Sequence, residues 1–313
     1  MKEKNTTFEH GAVLIFIAGC LWGSIGLFIR WMSDAGASAA TISFLRMLFA
    51  FLIMFAVTVF RSGISAFRVS RRTLFFSAML GLICHGVYNV FYSWAVVRIG
   101  VTVSAVLLNV APVFTAILSV IFFQEQITSH KCIALIINVA GCVLAATGGE
   151  FSAATLSISG ILFGVASGLC YALTAIFGKL SGEDSDPFVV STYSYLFASV
   201  FLAVFMRPWA VPITLSPSIM GIGFFYALIP TAIGYLFYYQ GVQQIQESSK
   251  VPVIASMETV MAAILGVLVL GEKLTAMHYF GIIVVMVSIV LMQHNKSVFE
   301  MTMGNVDRNV NDM

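Results

Sequence analysis

Ten apolar runs, each long enough to cross a bilayer and parted only by short charged or turn-rich breaks, leave this chain almost no way to fold in water. A helix needs about 20 apolar residues to traverse the hydrocarbon core. Runs of that order lie near Gly11–Trp31, Ser38–Phe60, Thr73–Val97, Val101–Phe123, Thr128–Thr147, Leu156–Lys179, Phe188–Met206, Met220–Gly241, Val251–Leu270 and Leu274–Met292. Only 10% of the 313 residues are charged while 59% are hydrophobic, too few polar side chains to coat a soluble globule. Lipid offers the backbone no hydrogen bonds, so each run is expected to satisfy its own amides as a helix. The predicted fold class is an all-α integral membrane protein with about ten transmembrane helices.

Ala37 and Ala39 imitate a signal-cleavage site after the first run. That run is a full bilayer crossing, longer than the ~7–15 residues of a secretory h-region, so it is expected to be retained. Alternate connections differ in charge. With the N-terminus inside, the cytoplasmic set holds Lys2, Lys4, Arg61, Arg68, Arg71, Arg72, Lys131, Lys179, Lys250, Lys296 and Arg308. The outer set holds Arg30, Arg98, Arg207 and Lys273. Cytoplasmic connections retain positive charge during insertion. The expected protein is therefore a multi-pass protein of the cell (plasma) membrane with both termini cytoplasmic.

The first run aligns without gaps on the sixth at an offset of 149: Gly11 meets Gly160, Gly19 meets Gly168, Trp22 meets Tyr171, and Arg30 meets Lys179. At an offset of 147 the third to fifth runs align on the eighth to tenth. Tyr88 meets Tyr235, Tyr92 meets Tyr239, Glu125 meets Glu272, and Thr128 meets Thr275. Each repeat holds an odd number of crossings, so the second enters from the opposite side. This gives two inverted five-helix repeats, an arrangement found in secondary transporters. The expected organisation is a cytoplasmic tail over 1–10, a first repeat over 11–147, a linker over 148–155, a second repeat over 156–292, and a cytoplasmic tail over 293–313.

Charge at bilayer depth is costly, so the few polar groups there are the candidates for function. Glu258 and Arg46 stand out, near the middles of the ninth and second runs. Glu258 is either a proton carrier or the partner of a cationic solute, with Arg46 as a carboxylate anchor or modulator; alternatively the two form a structural ion pair. Trp22 and Tyr171 occupy symmetry-related midplane positions. Tyr88 and Tyr92 share one helical face by i,i+4 spacing, with His85 a turn earlier, and Tyr235 and Tyr239 repeat that pair. The two tyrosine pairs are candidate gates on opposite sides of a central site, or else rings that pack helices and anchor interfaces. His85, Asn89, Asn109 and Asn138 are candidates for solute contact or for interhelical hydrogen bonding. Pro112, Pro230 and Pro252 are candidate hinges.

Other classes leave no trace. Formal charge is +2 with scattered basic residues, which excludes a nucleic-acid footprint. The five cysteines sit apart inside apolar runs and read as packing residues. No H-E-x-x-H, G-x-S-x-G or Walker-type motif occurs, and no acidic cluster suits a metal. The chain is read as a non-enzyme with no cofactor and no metal; its partners are a small-molecule solute and the lipid bilayer, with a coupled proton and a homodimer as candidates.

Leu21-Trp22-Gly23, Phe44-Leu45-Arg46, Ala111-Pro112-Val113 leading to Gln124-Glu125, and Glu258-Thr259 leading to Gly271-Glu272-Lys273-Leu274 occur in an order and spacing that resembles the EamA family of the drug/metabolite transporter superfamily. The resemblance covers nearly the whole chain. Gln124 stands where the family has a glycine before the glutamate. The resemblance implies a proton-linked or facilitative carrier of amino acids, amines or other metabolites, often an exporter, with a central cavity open alternately to each side. A choline-like quaternary amine held in an aromatic box of Trp22, Tyr88 and Tyr171 is the second reading. A polytopic enzyme or sensor is the alternative from another class.

Overall fold

The computed structural model describes residues 2–150, 157–181, 185–207 and 216–293, with the side chains of residues 2–9, 101 and 102 left out. Most of the expected linker, residues 151–155, the first residue of the expected second repeat, 156, and the C-terminal tail from residue 294 lie outside the described residues, as do the side chains of the N-terminal tail up to residue 9.

Among the described residues ten helices are long and apolar enough to cross a membrane: His10–Asp34, Ala39–Ser62, Arg71–Gly100, Val103–Phe123, Ser129–Thr147, Ile158–Leu180, Pro187–Met206, Pro217–Gln244, Ser248–Leu270 and Ala276–Gln293. Each is close to the run expected from hydropathy. Their packing shows the repeat. The first span lies against the second part of the eighth and against the ninth, while the sixth lies against the second part of the third and against the fourth. The second span packs on the seventh and the fifth on the tenth. Each contact between the first and second repeats therefore occurs with the two halves exchanged.

Apolar periodicity does not reveal that several spans are interrupted. The third and eighth wind as π-helix over Leu80–Val87 and Ala227–Ile233, segments whose first residues are 147 apart. Pro230 lies inside the second of these, where the loosened ladder tolerates its missing amide. The first span turns at Gly23–Ser24. The fourth breaks at Asn109–Val110 and the ninth at Ser256, and Asn109 and Ser256 are again 147 apart. Pro112 and Pro252 each fall at the start of the helical piece that contains them, where a proline costs no hydrogen bond.

The spans that end in glutamate close alike. Gln124 (φ 54°) and Gly271 (φ 68°) both adopt the left-handed conformation. The following amides, of Glu125 and Glu272, donate back to the carbonyls of Ser119 and Gly266 at 3.3 and 3.1 Å. Gln124 and Gly271 themselves donate four residues back, to Val120 and Val267 at 3.0 and 3.2 Å, so both are closures of the left-handed (αL) type, and the departure at Gln124 leaves the turn unchanged and only adds a Cβ to a backbone that suits glycine. Gln124→Gly is expected to stabilise the protein by about 1 kcal/mol, read as a rise in thermal unfolding temperature in detergent. Thr128 then caps the fifth span, its hydroxyl accepting from the Lys131 amide at 3.4 Å.

The fifth and tenth spans approach so closely that a Cβ on Gly281 would stand 2.3 Å from the Ala145 nitrogen. Outside the spans, Glu247 is held by Lys250 at 2.7 Å and Lys131 at 3.1 Å. Burial alone would raise its carboxyl, but the two ammonium groups hold it below the usual carboxylate value. Its contribution to stability is thus present at neutral pH and is lost as pH falls through that lowered value.

Candidate functional site

A cavity of about 210 Å³ lies where the fourth and ninth spans break, lined by Tyr92, Asn109, Pro112, Tyr171, Ser256 and Glu258 among others. The two breaks create it. An uninterrupted helix would present a closed ladder of backbone bonds; here two new helical pieces, Ala111–Phe123 and Met257–Leu270, begin at bilayer depth. Their first turns are closed by short bonds, Val113 donating to the Val110 carbonyl at 2.9 Å and Thr259 to the Ser256 carbonyl at 3.0 Å, and the dipole of each piece favours negative charge at that end.

Glu258 occupies the first turn of the second piece, the place on that helix where a carboxylate costs least. Its Oε2 accepts from the Tyr171 hydroxyl at 3.2 Å. Tyr171 also stands 6.2 Å from the Trp22 ring and 6.1 Å from that of Tyr88, centre to centre. Tyr88 in turn stacks on Tyr92 at 5.9 Å, so a continuous run of rings leads to the carboxylate. Of the residues singled out in the sequence, the structure brings Glu258, Tyr171, Asn109, Asn138, Tyr92, Pro112 and Pro252 to the cavity wall.

Arg46 is elsewhere. Its Nε donates to Thr231 Oγ1 at 2.8 Å and its guanidinium lies 4.9 Å from the centre of the Tyr226 ring. Thr231 Oγ1 donates to the Tyr226 carbonyl at 3.0 Å, and Tyr195 donates its hydroxyl to the Thr231 carbonyl, also at 3.0 Å. The π-helical turn makes this nest possible by widening the eighth span around Thr231. Among the described residues Arg46 and Glu258 form no ion pair within 4.0 Å. The direct structural pair held open in the sequence is thus replaced by two separate attachments, Arg46 to the eighth span and Glu258 to the sixth. Each group found a hydroxyl closer than the opposite charge.

Trp22 is 2% exposed, packed 4.6 Å from Tyr235 and 4.9 Å from Tyr238. It touches Tyr171 but does not line the cavity, so Trp22, Tyr88 and Tyr171 adjoin ring to ring rather than enclosing an open box. His85 Nε2 meets the Tyr239 hydroxyl at 3.1 Å, and its ring lies 4.7 Å from that of Tyr235. Asn89 donates to the His85 carbonyl and accepts from Ser43 at 3.4 Å. These residues lock the third, eighth and second spans together away from the cavity.

The two tyrosine pairs are in unlike surroundings. Tyr88 and Tyr92 are half-buried, whereas Tyr235 and Tyr239 are 6% and 1% exposed. Asn138 is fully buried and donates to Ser256 Oγ at 2.7 Å and Ser288 Oγ at 2.9 Å. Both hydroxyls are already spent as donors to carbonyls of their own helices, Val253 and Val285, so only the amide nitrogen can face them. That network fixes the break of the ninth span against the fifth and tenth.

Sequence reasoning passed over Thr231, Tyr226, Tyr195 and Ser256. Ser256 was within reach, since the offset that pairs Tyr88 with Tyr235 also pairs Asn109 with Ser256. Among the described residues no group of three or more His, Cys, Asp or Glu is placed to hold a metal.

The comparisons with known proteins agree with this geometry. The profile described as the EamA-like transporter family matches residues 10–147 and again 158–293. An uncharacterized transporter of Archaeoglobus fulgidus is 26% identical over 282 residues, covering 87% of this chain and 92% of its own. The uncharacterized transporter YyaM of Bacillus subtilis is 24% identical over 244 residues, 76% of this chain and 78% of its own. A solved crystal structure superposes with a TM-score of 0.78 at 14% identity, over 90% of this chain and 97% of that one, a likeness of fold. With both of its halves matched and its ten spans folded as an inverted duplication, the chain belongs to the EamA-like transporter family.

Proposed function

We propose that the protein is a secondary-active or facilitative carrier that exports a small organic metabolite, an amino acid or a related compound, across the plasma membrane by alternating access. The observation that carries this reading is the midplane cavity at two symmetry-related helix breaks, with a single carboxylate, Glu258, in its wall. About 210 Å³ is the space of about seven liquid waters, enough for a solute of amino-acid size. Glu258 suits an ammonium group or a coupled proton, and the start of the Ala111–Phe123 helix suits a carboxylate. The excess of Lys and Arg in alternate connections supports cytoplasmic termini.

A second reading, an organic cation of the quaternary amine type, is favoured by the Tyr92 and Tyr171 rings beside the carboxylate. Reconstituted protein is expected to exchange radiolabelled solute across liposomes. Competition by amino acids carrying N–H donors supports the first reading, and competition by their trimethylated counterparts alone supports the second. No flux over a broad panel of metabolites would turn the assignment towards a polytopic enzyme or sensor.

A further inference from the structure

The two ends of the bundle carry the same ion pair in different states. At one end Glu125, just past the fourth span, meets Lys179 of the sixth at 3.9 Å. At the other end Glu272, just past the ninth span, meets Arg30 of the first at 3.9 Å. Glu125 and Glu272 are 147 apart, and Arg30 and Lys179 are 149 apart, so the pairs are images of one another under the internal duplication.

Their surroundings differ. Glu125 reaches across to the ninth span and caps its first turn. Its Oε1 accepts from the Ser248 amide at 2.6 Å, and its Oε2 accepts from the Ser249 amide at 3.3 Å and the Ser249 hydroxyl at 2.9 Å. Lys179 donates to the Gln246 carbonyl just before that turn. The side chains of Glu125 and Lys179 are 8% and 19% exposed. Glu272 lies back over Gly266 of its own helix, and the side chains of Glu272 and Arg30 are 52% and 58% exposed.

The counterparts of the parts that Glu125 engages are all present at the second end. Ser248 and Ser249 correspond to residues 101 and 102, the second of which is again a hydroxyl residue, Thr102, and Gln246 corresponds to Ile99. We propose that Glu125 and Glu272 are the two latches of the transport cycle: the carboxylate of Glu125 shuts the end seen closed here, and Glu272 shuts the other end in the opposite state. There it caps the start of the fourth span at residues 101 and 102, while Arg30 takes the part of Lys179. The cavity wall agrees with the state seen. Leu108, on the side of the Glu272 end, is half-buried, whereas its counterpart Ala255, on the side of the Glu125 end, is 3% exposed.

The proposal rests on the alternating-access reading, and its test separates the two. Chains carrying Leu108→Cys or Ala255→Cys are placed in vesicles of known orientation. A membrane-impermeant maleimide is applied to one face at a time, and labelling of each site is read by peptide mass spectrometry. Without further change, Leu108→Cys labels faster from the Glu272 face than Ala255→Cys does from the Glu125 face. Adding Glu125→Gln is expected to raise labelling of Ala255→Cys from the Glu125 face about tenfold and to lower that of Leu108→Cys. Adding Glu272→Gln is expected to raise Leu108→Cys labelling from the Glu272 face and to lower that of Ala255→Cys. Lys179→Gln must act in the same direction as Glu125→Gln, which separates release of a latch from misfolding. If both sites label from opposite faces but the glutamate changes act in the same direction, or not at all, the latches are wrong and alternating access stands. If both sites label from one face only in every variant, alternating access fails and the latches fail with it.

Discussion

Replacing Glu258 by Gln is expected to lower flux of a cationic or zwitterionic solute by about 30-fold or more and to flatten its dependence on pH. The substitution keeps the shape of the side chain and an oxygen to accept the Tyr171 hydroxyl, now at 3.2 Å, so the sixth and ninth spans stay joined. What it removes is the charge. A solute ammonium drawn out of water at bilayer depth then loses its partner, a loss of about 2 kcal/mol or more for buried charge pairs, which is the 30-fold. The flattening follows because Glu258 is the one carboxylate in the described cavity wall. Flux against pH in proteoliposomes checks both effects. A variant with unchanged flux and an unchanged pH profile would make Glu258 a structural acceptor for Tyr171 and nothing more.

Gly281→Ala is expected to be the most damaging single-methyl change among the helix contacts of the fifth and tenth spans. A Cβ there would meet the Ala145 nitrogen at 2.3 Å and the Leu144 carbonyl carbon at 2.7 Å. Both are backbone atoms, which have no rotamer to escape into, so the spans must separate and their dispersion contacts weaken along their length. Overpacking of this kind costs about 1–3 kcal/mol where side chains yield, and more where backbone does not. Gly26→Ala is the control, because nothing lies within 4 Å of its Cβ position and alanine is the better helix former. Size-exclusion yield and thermal unfolding in detergent should fall for Gly281→Ala and hold for Gly26→Ala; equal behaviour of the two would show that the close contact does not matter.

The ten spans and the inverted repeat were legible because both rest on one-dimensional signals: length of apolar run, and coincidence of Tyr, Glu and Thr at a fixed offset. The cavity wall was legible in part. Glu258 and Tyr171 declared themselves as polar groups at midplane depth, Asn109 as a hydrogen-bonding group inside an apolar run, and Tyr92 through the repeat. The partner of Arg46 was not legible, because axial depth says nothing of azimuth: Arg46 and Glu258 lie close in depth yet turn to different neighbours. Thr231 was hidden for another reason. A threonine in an apolar helix ordinarily bonds its own backbone, and only the π-helical widening at Ala227–Ile233 lets Thr231 serve its own carbonyl ladder and the guanidinium together.

The wide turns in the third and eighth spans also set a bearing. A π-helical turn takes in one residue more than an α-helical turn, and one residue is about 100° around an α-helix. Had Leu80–Val87 wound as ordinary α-helix, everything beyond it would face about a quarter-turn away, and the Tyr92 ring would point off the cavity. The eighth span carries the same correction over Ala227–Ile233, ahead of Tyr235 and Tyr239. The two halves therefore share, beyond their tyrosines, the helical phase at which those tyrosines are set.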